Sequence, residues 1–327
     1  MRSTAEWLSI KSNKMEKFIP EDSSPYFNRE MEALSREEIE ALQLKRLQQT
    51  VAHCMQSPFY KKRFAELGLK PEDIQSLQDL RKIPFTTKQD LRDTYPFGMA
   101  SVPLRECVRL HSSSGTTGTP TVILHTQRDL DEWANQVARN LWMVGLRPDD
   151  VFQNSSGYGM FTGGLGFQYG AERLGMLTIP AAAGNSLRQI KFMTDFGTTA
   201  VHAVPSYVTR LREVMDSVGV DPSRDTKLRV LAIGAEPHSE EQRRRIEEMM
   251  GVKAYNSFGM SEMCGPGVGF ECPEQNGLHF WEDYYIVEIF DPETLEPVPD
   301  GEVGELVLTT LCREAVPLLR YRTRDLT

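Results

Sequence analysis

The period of the apolar positions changes twice along the chain, and each change marks a different kind of structure. Between residues 35 and 68 the spacing is helical: Ile39, Leu42, Leu47, Val51 and Met55 share a face. Ser35 with Glu38 three residues on forms a capping-box signature ahead of that run, and Pro58 ends it. Phe59, Tyr60 and Phe64 predict a second short helix closed at Gly68, and Thr87 is placed to cap another over KQDLRDTY. From Glu106 strand-like runs alternate with amphipathic ones. CVRLHSS, PTVILHT, GMLTIPA, TTAVHAVP and LRVLAIGAE read as strands, whereas DLDEWANQVARNLWMVG, SLRQIKFMTDFG, SYVTRLREVMDSVG and SEEQRRRIEEMMG read as helices. That alternation predicts βαβ units, hence an α/β fold of mainly parallel sheets flanked by helices. Past Trp281 the helices stop. YYIVEIFD and GEVGELVLTTL, joined by a Pro/Asp/Gly-rich segment, predict a smaller antiparallel β region near the C-terminus.

The expected organisation is a loosely ordered extension over 1–30 and one large unit over 31–327. Within that unit, 31–104 is mostly helical, 105–280 is the α/β core and 281–327 is β-rich. Composition narrows function more than fold. A net charge of −9 argues against nucleic-acid binding by phosphate neutralisation. Cys54, Cys107, Cys264, Cys272 and Cys312 are scattered and contain no Cys-x-x-Cys, so neither a disulfide framework nor a complete zinc knuckle is expected. A reducing cytoplasm is the natural compartment. No run approaches the roughly 20 apolar residues of a membrane span, and the first residues lack a signal-peptide core.

The chemistry begins at Ser112-Ser113-Ser114-Gly115-Thr116-Thr117-Gly118-Thr119-Pro120-Thr121. Hydroxyl residues broken by Gly115, Gly118 and Pro120 disfavour helix and strand alike. They suit a loop whose amides and hydroxyls converge on an anion, although a surface turn fits the same residues. The Gly-Lys-Ser/Thr ending of a Walker loop is missing. Two strand ends carry further signals. Leu228–Ile233 runs into Gly234-Ala235-Glu236-Pro237, where ligands of open α/β sheets sit. Ala254-Tyr255-Asn256-Ser257-Phe258-Gly259-Met260-Ser261-Glu262 brings an aromatic ring for stacking, a glycine for close approach and a carboxylate suited to Mg²⁺. Core packing for Phe258 and a helix-start role for Glu262 are the competing readings.

SSSGTTGTPT, YGMFTGG, GAEP, YNSFGMSE and RYRTRD occur in that order, and together they resemble the adenylate-forming acyl-CoA synthetases, nearest the phenylacetate–CoA ligase family. FTTKQDLRDTYPFG, NSSGYGMFTGGLGFQYGAERLG, GPGV, HFWEDYY and GEVGELVLTT add to the likeness, which covers residues 25–327. The resemblance implies the large N-terminal domain of the adenylate-forming fold. It also implies an ATP-dependent acid–thiol ligase that makes an acyl-adenylate and then the coenzyme A thioester. By the same resemblance Ser113, Ser114, Gly115, Thr116, Thr117 and Gly118 form the phosphate loop, with Thr116, Thr117 and Glu262 nearest the chemistry. Gly234, Ala235, Glu236 and Pro237 line the adenine side, Asn256, Ser257, Phe258 and Gly259 form the opposite wall, Glu262 holds Mg²⁺ and Asp325 holds the ribose. Tyr158, Phe161, Gly163 and Gly164 form the acyl pocket. Cys272 and His279 are candidate Zn²⁺ ligands, and a homodimer is the family's usual state.

Two departures from the family carry expectations. Thr119 stands where the family's loop usually has lysine, so pyrophosphate departure is expected to be weakened. The family continues past the RYRTRD segment into a small mobile domain that carries a lysine contacting the reacting carboxylate. The expectation is that this domain is absent from the 327 residues, leaving nucleotide binding intact and adenylation impaired. A non-catalytic nucleotide-binding remnant is therefore the alternative from a different class. An unrelated phosphotransferase, releasing ADP, is the third.

Overall fold

The computed structural model describes residues 20–21, 23–113, 118–160 and 162–327. The helices are α1 (Arg29–Glu32), α2 (Arg36–Cys54), α3 (Pro58–Leu67), α4 (Lys88–Asp93), α5 (Gln127–Met143), α6 (Gly163–Leu174), α7 (Ser186–Asp195), α8 (Pro205–Ser217), α9 (Pro222–Asp225) and α10 (Glu240–Met250). The strands are β1 (Cys107–Ser112), β2 (Val122–Thr126), β3 (Val151–Asn154), β4 (Leu177–Ile179), β5 (Ala200–Ala203), β6 (Val230–Gly234), β7 (Lys253–Met260), β8 (Gly265–Phe270), β9 (His279–Phe280), β10 (Tyr285–Phe290), β11 (Glu305–Thr310) and β12 (Tyr321–Leu326).

Seven strands form the main sheet in the order β4-β3-β5-β6-β7-β8-β9. Pairings from β4 through β7 are parallel, while β8 and β9 add antiparallel at one edge. Alternation along the strands builds a core on each face. Val230 and Ala232 face the layer made by α5 and α6, with Trp133, Val137 and Phe167. Leu231 and Ile233 face the layer made by α7, α8 and α10, with Ile190, Leu211 and Ile246. This is the period-two consequence of a strand buried on both sides. The chain leaves β3 for β4 on one side and returns to β5 on the other, so a crevice opens at the carboxyl ends of β3 and β5.

A third core joins α2 and α3 to the antiparallel sheet β10-β11-β12, through Leu47, Tyr60, Leu306, Leu308 and Tyr321. The Thr86 amide donates to the Arg320 carbonyl at 3.0 Å, and the Arg322 amide donates to the Thr86 carbonyl at 2.9 Å. The N-terminal helices are thereby stitched to the last strand. The caps form as the sequence implies. Ser35 and Glu38 make the reciprocal pair, Thr87 caps α4, and Gly68 ends α3 at φ 65°.

Two expectations are corrected. CVRLHSS and PTVILHT pair antiparallel with each other as a separate ribbon, β1–β2, instead of joining the parallel sheet. The lead-in is not loose throughout, since Phe27 is buried beside Trp142 and the Ser24 carbonyl accepts from Trp142 Nε1 at 3.0 Å. The glycine-rich NSSGYGMFTGGLGFQYGAERLG begins at the last residue of β3 and contains the twelve-residue helix α6. Its glycines are the reason that helix packs. A Cβ at Gly166 would sit 2.4 Å from the Trp133 ring, and one at Gly170 would sit 2.3 Å from Val137 Cγ1. Glycine's entropic cost in a helix is offset by the close approach of α5.

Candidate active site

The ribbon β1–β2 exists to hold the hydroxyl-rich loop. The Ser113 amide donates to the Thr121 carbonyl at 3.1 Å, and the Thr121 amide returns to Ser113 Oγ at 2.9 Å, closing the neck. Ser114, Gly115, Thr116 and Thr117 lie outside the described residues, while Ser113 and Gly118 flank them. The Ser112 amide and His111 Nδ1 both bond the Met160 carbonyl, at 3.2 and 3.0 Å, so the loop is tied to the segment after β3.

Glu262 sits at the base of this loop. A short 3₁₀ turn over Ser261–Met263 carries it off the end of β7, and it is only 3% exposed. Thr121 Oγ1 donates to Glu262 Oε1 at 3.2 Å, and Lys88 Nζ lies 3.5 Å from the same oxygen. Burial and the Glu262 charge push the Tyr321 phenol far above its ordinary range. Asp325, on β12, is likewise held above the usual carboxylate range by shelter of its carboxyl, with Glu262 also raising it and the Thr323 hydroxyl opposing. Residues from α4, the segment just before β2, the turn after β7 and β12 therefore meet around one carboxylate.

A second gathering lies at the crevice. A cavity of about 50 Å³ is lined by Ser156 after β3, His202 and Val204 at the end of β5, and Gly234 and Ala235 at the end of β6. Ser257 and Gly259 of β7, with Gly163 and Phe167 of α6, complete the wall. Gly234 is required here, because a Cβ would sit 2.2 Å from the Ser257 carbonyl oxygen. Of the residues assigned to the acyl pocket, Gly163 lines this cavity and Tyr158 and Gly164 do not; Phe161 lies outside the described residues. Gly164 is small for another reason, since its Cβ would meet the Gly157 carbonyl oxygen at 2.4 Å. Tyr158 accepts from Asn154 Nδ2 at 3.0 Å, and burial raises its pKa while that bond lowers it.

The remaining assigned residues are placed as follows. Glu236 is engaged at the start of α8, accepting from the Ser206 amide at 3.0 Å and the Ser206 hydroxyl at 2.8 Å. Ala235 takes φ 63° and Pro237 is exposed beside it. The Asn256 amide donates to Glu271 Oε2 at 2.6 Å. Phe258 is half-buried, with its ring centroid 6.1 Å from that of Phe280. Cys272 is partly buried and His279 is exposed on β9. No group of three or more His, Cys, Asp or Glu side chains is gathered for a metal among the described residues. A Cys–His pair falls short of the four ligands of structural zinc, so no role is derived through it.

Sequence reasoning passed over several participants. The region before residue 104 was read as poor in chemistry, yet α4 supplies Lys88 and also Arg92, whose Nε donates to the Thr119 carbonyl at 3.1 Å. A signal was present: a lysine in the first turn opposes the helix dipole, and local rules are broken most often where function requires it. His202 is buried, stacks on Phe167 at 3.8 Å between centroids, and burial drives its pKa down to about 3.

Comparison with known proteins bears on the family of the chain. Residues 50–312 match the model of the AMP-binding enzyme family. The chain is 49% identical to the phenylacetate-coenzyme A ligase of Pseudomonas putida over 299 residues, covering 91% of this chain and 68% of that protein. It is 47% identical to the phenylacetate-coenzyme A ligase of Escherichia coli strain K12, again over 91% of this chain and 68% of the relative. Among solved structures, an open conformation of 2-hydroxyisobutyryl-CoA ligase in complex with 2-HIB-AMP and CoA superposes with a TM-score of 0.89 at 30% identity. That match covers 95% of this chain and 75% of that one. Among the described residues no helix is long and apolar enough to cross a membrane. With 49% identity to one such ligase over 299 residues and residues 50–312 matched by the family model, the chain belongs to the phenylacetate–coenzyme A ligase family of AMP-binding enzymes.

Proposed function

We propose that this chain activates phenylacetate, or a close aryl relative, in an ATP-dependent acid–thiol ligation. The acid's carboxylate oxygen attacks the α-phosphorus of ATP, the bond to the β-phosphate oxygen breaks and pyrophosphate leaves. The thiol of coenzyme A then attacks the acyl carbon of the mixed anhydride, losing its proton, and AMP departs. A carboxylate is a poor electrophile, and AMP supplies the leaving group it lacks. The protein's task in the first step is positioning and stabilisation of charge.

One observation carries the reading: Glu262 is buried at the neck of the hydroxyl-rich loop, touching Thr121 and facing Lys88. The loop amides and hydroxyls hold the β- and γ-phosphates, with Lys88 adding positive charge beside them and Arg92 fixing the backbone at Thr119. A buried carboxylate beside a threonine hydroxyl is a hard-oxygen donor set that fits Mg²⁺, with Glu262 the residue that would hold it. Bound there, Mg²⁺ would neutralise polyphosphate charge. Asp325 accepts from the ribose hydroxyls, and Gly234–Pro237 with Asn256–Gly259 enclose the base. The acyl group enters beside Gly163, where the crevice, about 50 Å³ here, has to widen to take an aryl ring.

The test is ATP–pyrophosphate exchange with and without phenylacetate. Exchange that requires the acid is the expected outcome. Formation of ADP in its place would identify a phosphotransferase and overturn the proposal, and so would AMP release that ignores the acid.

A further inference from the structure

The ribbon that carries the hydroxyl-rich loop does not set its own position. β1 and β2 form a sheet of two strands, and two strands alone are marginally stable in water, so contacts from elsewhere fix where the loop stands. His111 of β1 makes several of them. It is buried, and its ring meets those of His125 and Trp133 edge-on, with centroids 5.4 and 5.9 Å away. Two residues further on, Ser113 closes the neck of the loop with Thr121.

The ring is used at one atom. His111 Nδ1 lies 3.0 Å from the Met160 carbonyl oxygen, and since a carbonyl only accepts, Nδ1 carries the proton. Burial lowers the pKa of the ring, the Met160 bond opposes and the Arg109 charge adds to the fall, so the imidazole is neutral. Its Nε2 is then a bare acceptor, buried and without a hydrogen-bond partner among the described residues. Phenylalanine would fill the same space and avoid that cost, so the bond from Nδ1 is what histidine adds. The Ser112 amide donates to the same oxygen at 3.2 Å. Two donors from successive residues of β1 therefore occupy both lone pairs of one carbonyl.

Met160 belongs to the segment that runs from β3 into α6. Asn154 Nδ2 holds that segment from within, donating to the Tyr158 hydroxyl at 3.0 Å and to the Gly164 carbonyl at 2.5 Å, and Gly163 opens onto the crevice. At the other end, Thr121 passes from the neck of the loop to Glu262 through its hydroxyl. Bonded residues thus run from the acyl side of the site through Met160, His111, Ser112, Ser113 and Thr121 to Glu262. We propose that His111 is a positioning residue that couples these two sides. Its Nδ1 holds the Met160 carbonyl to β1, so an acid that orders the acyl side also orders the phosphate loop, and acid and ATP bind with positive cooperativity. The proposal rests on the ligase reading and deepens it. Such coupling is reciprocal, and its common range is about 5- to 150-fold in affinity.

Calorimetric titration of the intact chain with α,β-methylene-ATP and magnesium, with and without saturating phenylacetate, measures the coupling without turnover. Phenylacetate is expected to tighten binding of the analogue by about tenfold in the wild type. His111→Phe keeps the ring and its contacts but loses the donor, and the ratio is expected to fall to near unity. Asparagine places its Nδ2 where histidine has Nδ1, so His111→Asn is expected to recover most of the ratio despite the smaller side chain. Thermal melting establishes that each variant folds. A histidine that only packs the ribbon would be replaced well by phenylalanine, with the ratio unchanged. That result, a wild type without coupling, or a folded His111→Asn that shows none overturns the inference and leaves the ligase reading standing. Failure of the wild type to bind the analogue under either condition overturns both.

Discussion

Lys88 Nζ lies 3.5 Å from Glu262 Oε1, a contact between the first turn of α4 and the far end of β7. The lysine side chain is 48% exposed while the glutamate is buried, so the cation reaches inward to the loop from the surface. Replacing Lys88 by Ala is expected to slow ATP–pyrophosphate exchange by about 10- to 100-fold, the usual scale for removing one preorganised charge from a phosphoryl-transfer site. Lys88→Arg should recover part of the rate. A lysine that served only to anchor α4 would instead lower the melting temperature and leave exchange unchanged.

Thr119 invites the opposite experiment. It sits at the exit of the loop, and Arg92 holds its carbonyl by Nε at 3.1 Å. Thr119→Lys puts a charge beside the phosphates without disturbing that backbone bond. Exchange is expected to rise by up to about tenfold, less than the value of a fully preorganised donor because Lys88 already supplies charge nearby. The measurement is the exchange rate at saturating acid, compared between the two proteins.

Glu262→Gln keeps the shape and the hydrogen-bond capacity of the side chain but removes the charge. Magnesium-dependent ATP affinity is expected to fall by about tenfold to a hundredfold, with AMP affinity changing far less. Calorimetry with ATP, with and without magnesium, checks this. Chelating magnesium from the wild type should reproduce most of the loss, whereas the variant should be nearly indifferent to chelation.

His202 makes a pH prediction. Its pKa falls from an ordinary 6.5 to about 3 because the ring is buried. The unfolded chain therefore binds a proton that the native protein excludes, and stability rises with pH wherever that difference operates. The contribution is full above pH 6.5 and declines as the pH falls towards 3. By pH 5 this group alone should cost about 2 kcal/mol. Denaturant unfolding at pH 7.5 and pH 5 of the wild type and of His202→Gln gives the double difference that isolates it.

Gly166→Ala tests the contact between α5 and α6. The added methyl would fall 2.4 Å from the Trp133 ring and 2.6 Å from Pro266. Neither is the loose end of a flexible side chain. Overpacking of this kind costs about 1–3 kcal/mol despite alanine's better helix propensity. An unfolding titration showing Gly166→Ala equal to or more stable than the wild type would remove the argument that close packing selects this glycine.

Much of the fold was legible in local pattern. Ser35, Thr87 and Gly68 announced helix ends because a cap is satisfied within a few residues. Val230–Gly234 announced a strand because its side chains must serve two faces. The glycine-rich stretch around α6 was not legible, since its helix depends on Trp133 and Val137 from another helix. The pairing of β1 with β2 was missed because the downstream alternation of strands and helices implied parallel pairing throughout. Lys88 and Arg92 were missed because their partners, Glu262 and Thr119, are distant in sequence.

The sequence by itself determined periodicity, caps and the order of the nucleotide motifs, because these depend on neighbours within a turn or a strand. The tertiary structure decided which motifs meet. The crevice exists because the winding order of the parallel strands reverses between β3 and β5, and Glu262, Thr121, Lys88 and Tyr321 converge because four segments distant in sequence pack together. Only that packing removes water from the Glu262 carboxylate, which is 3% exposed.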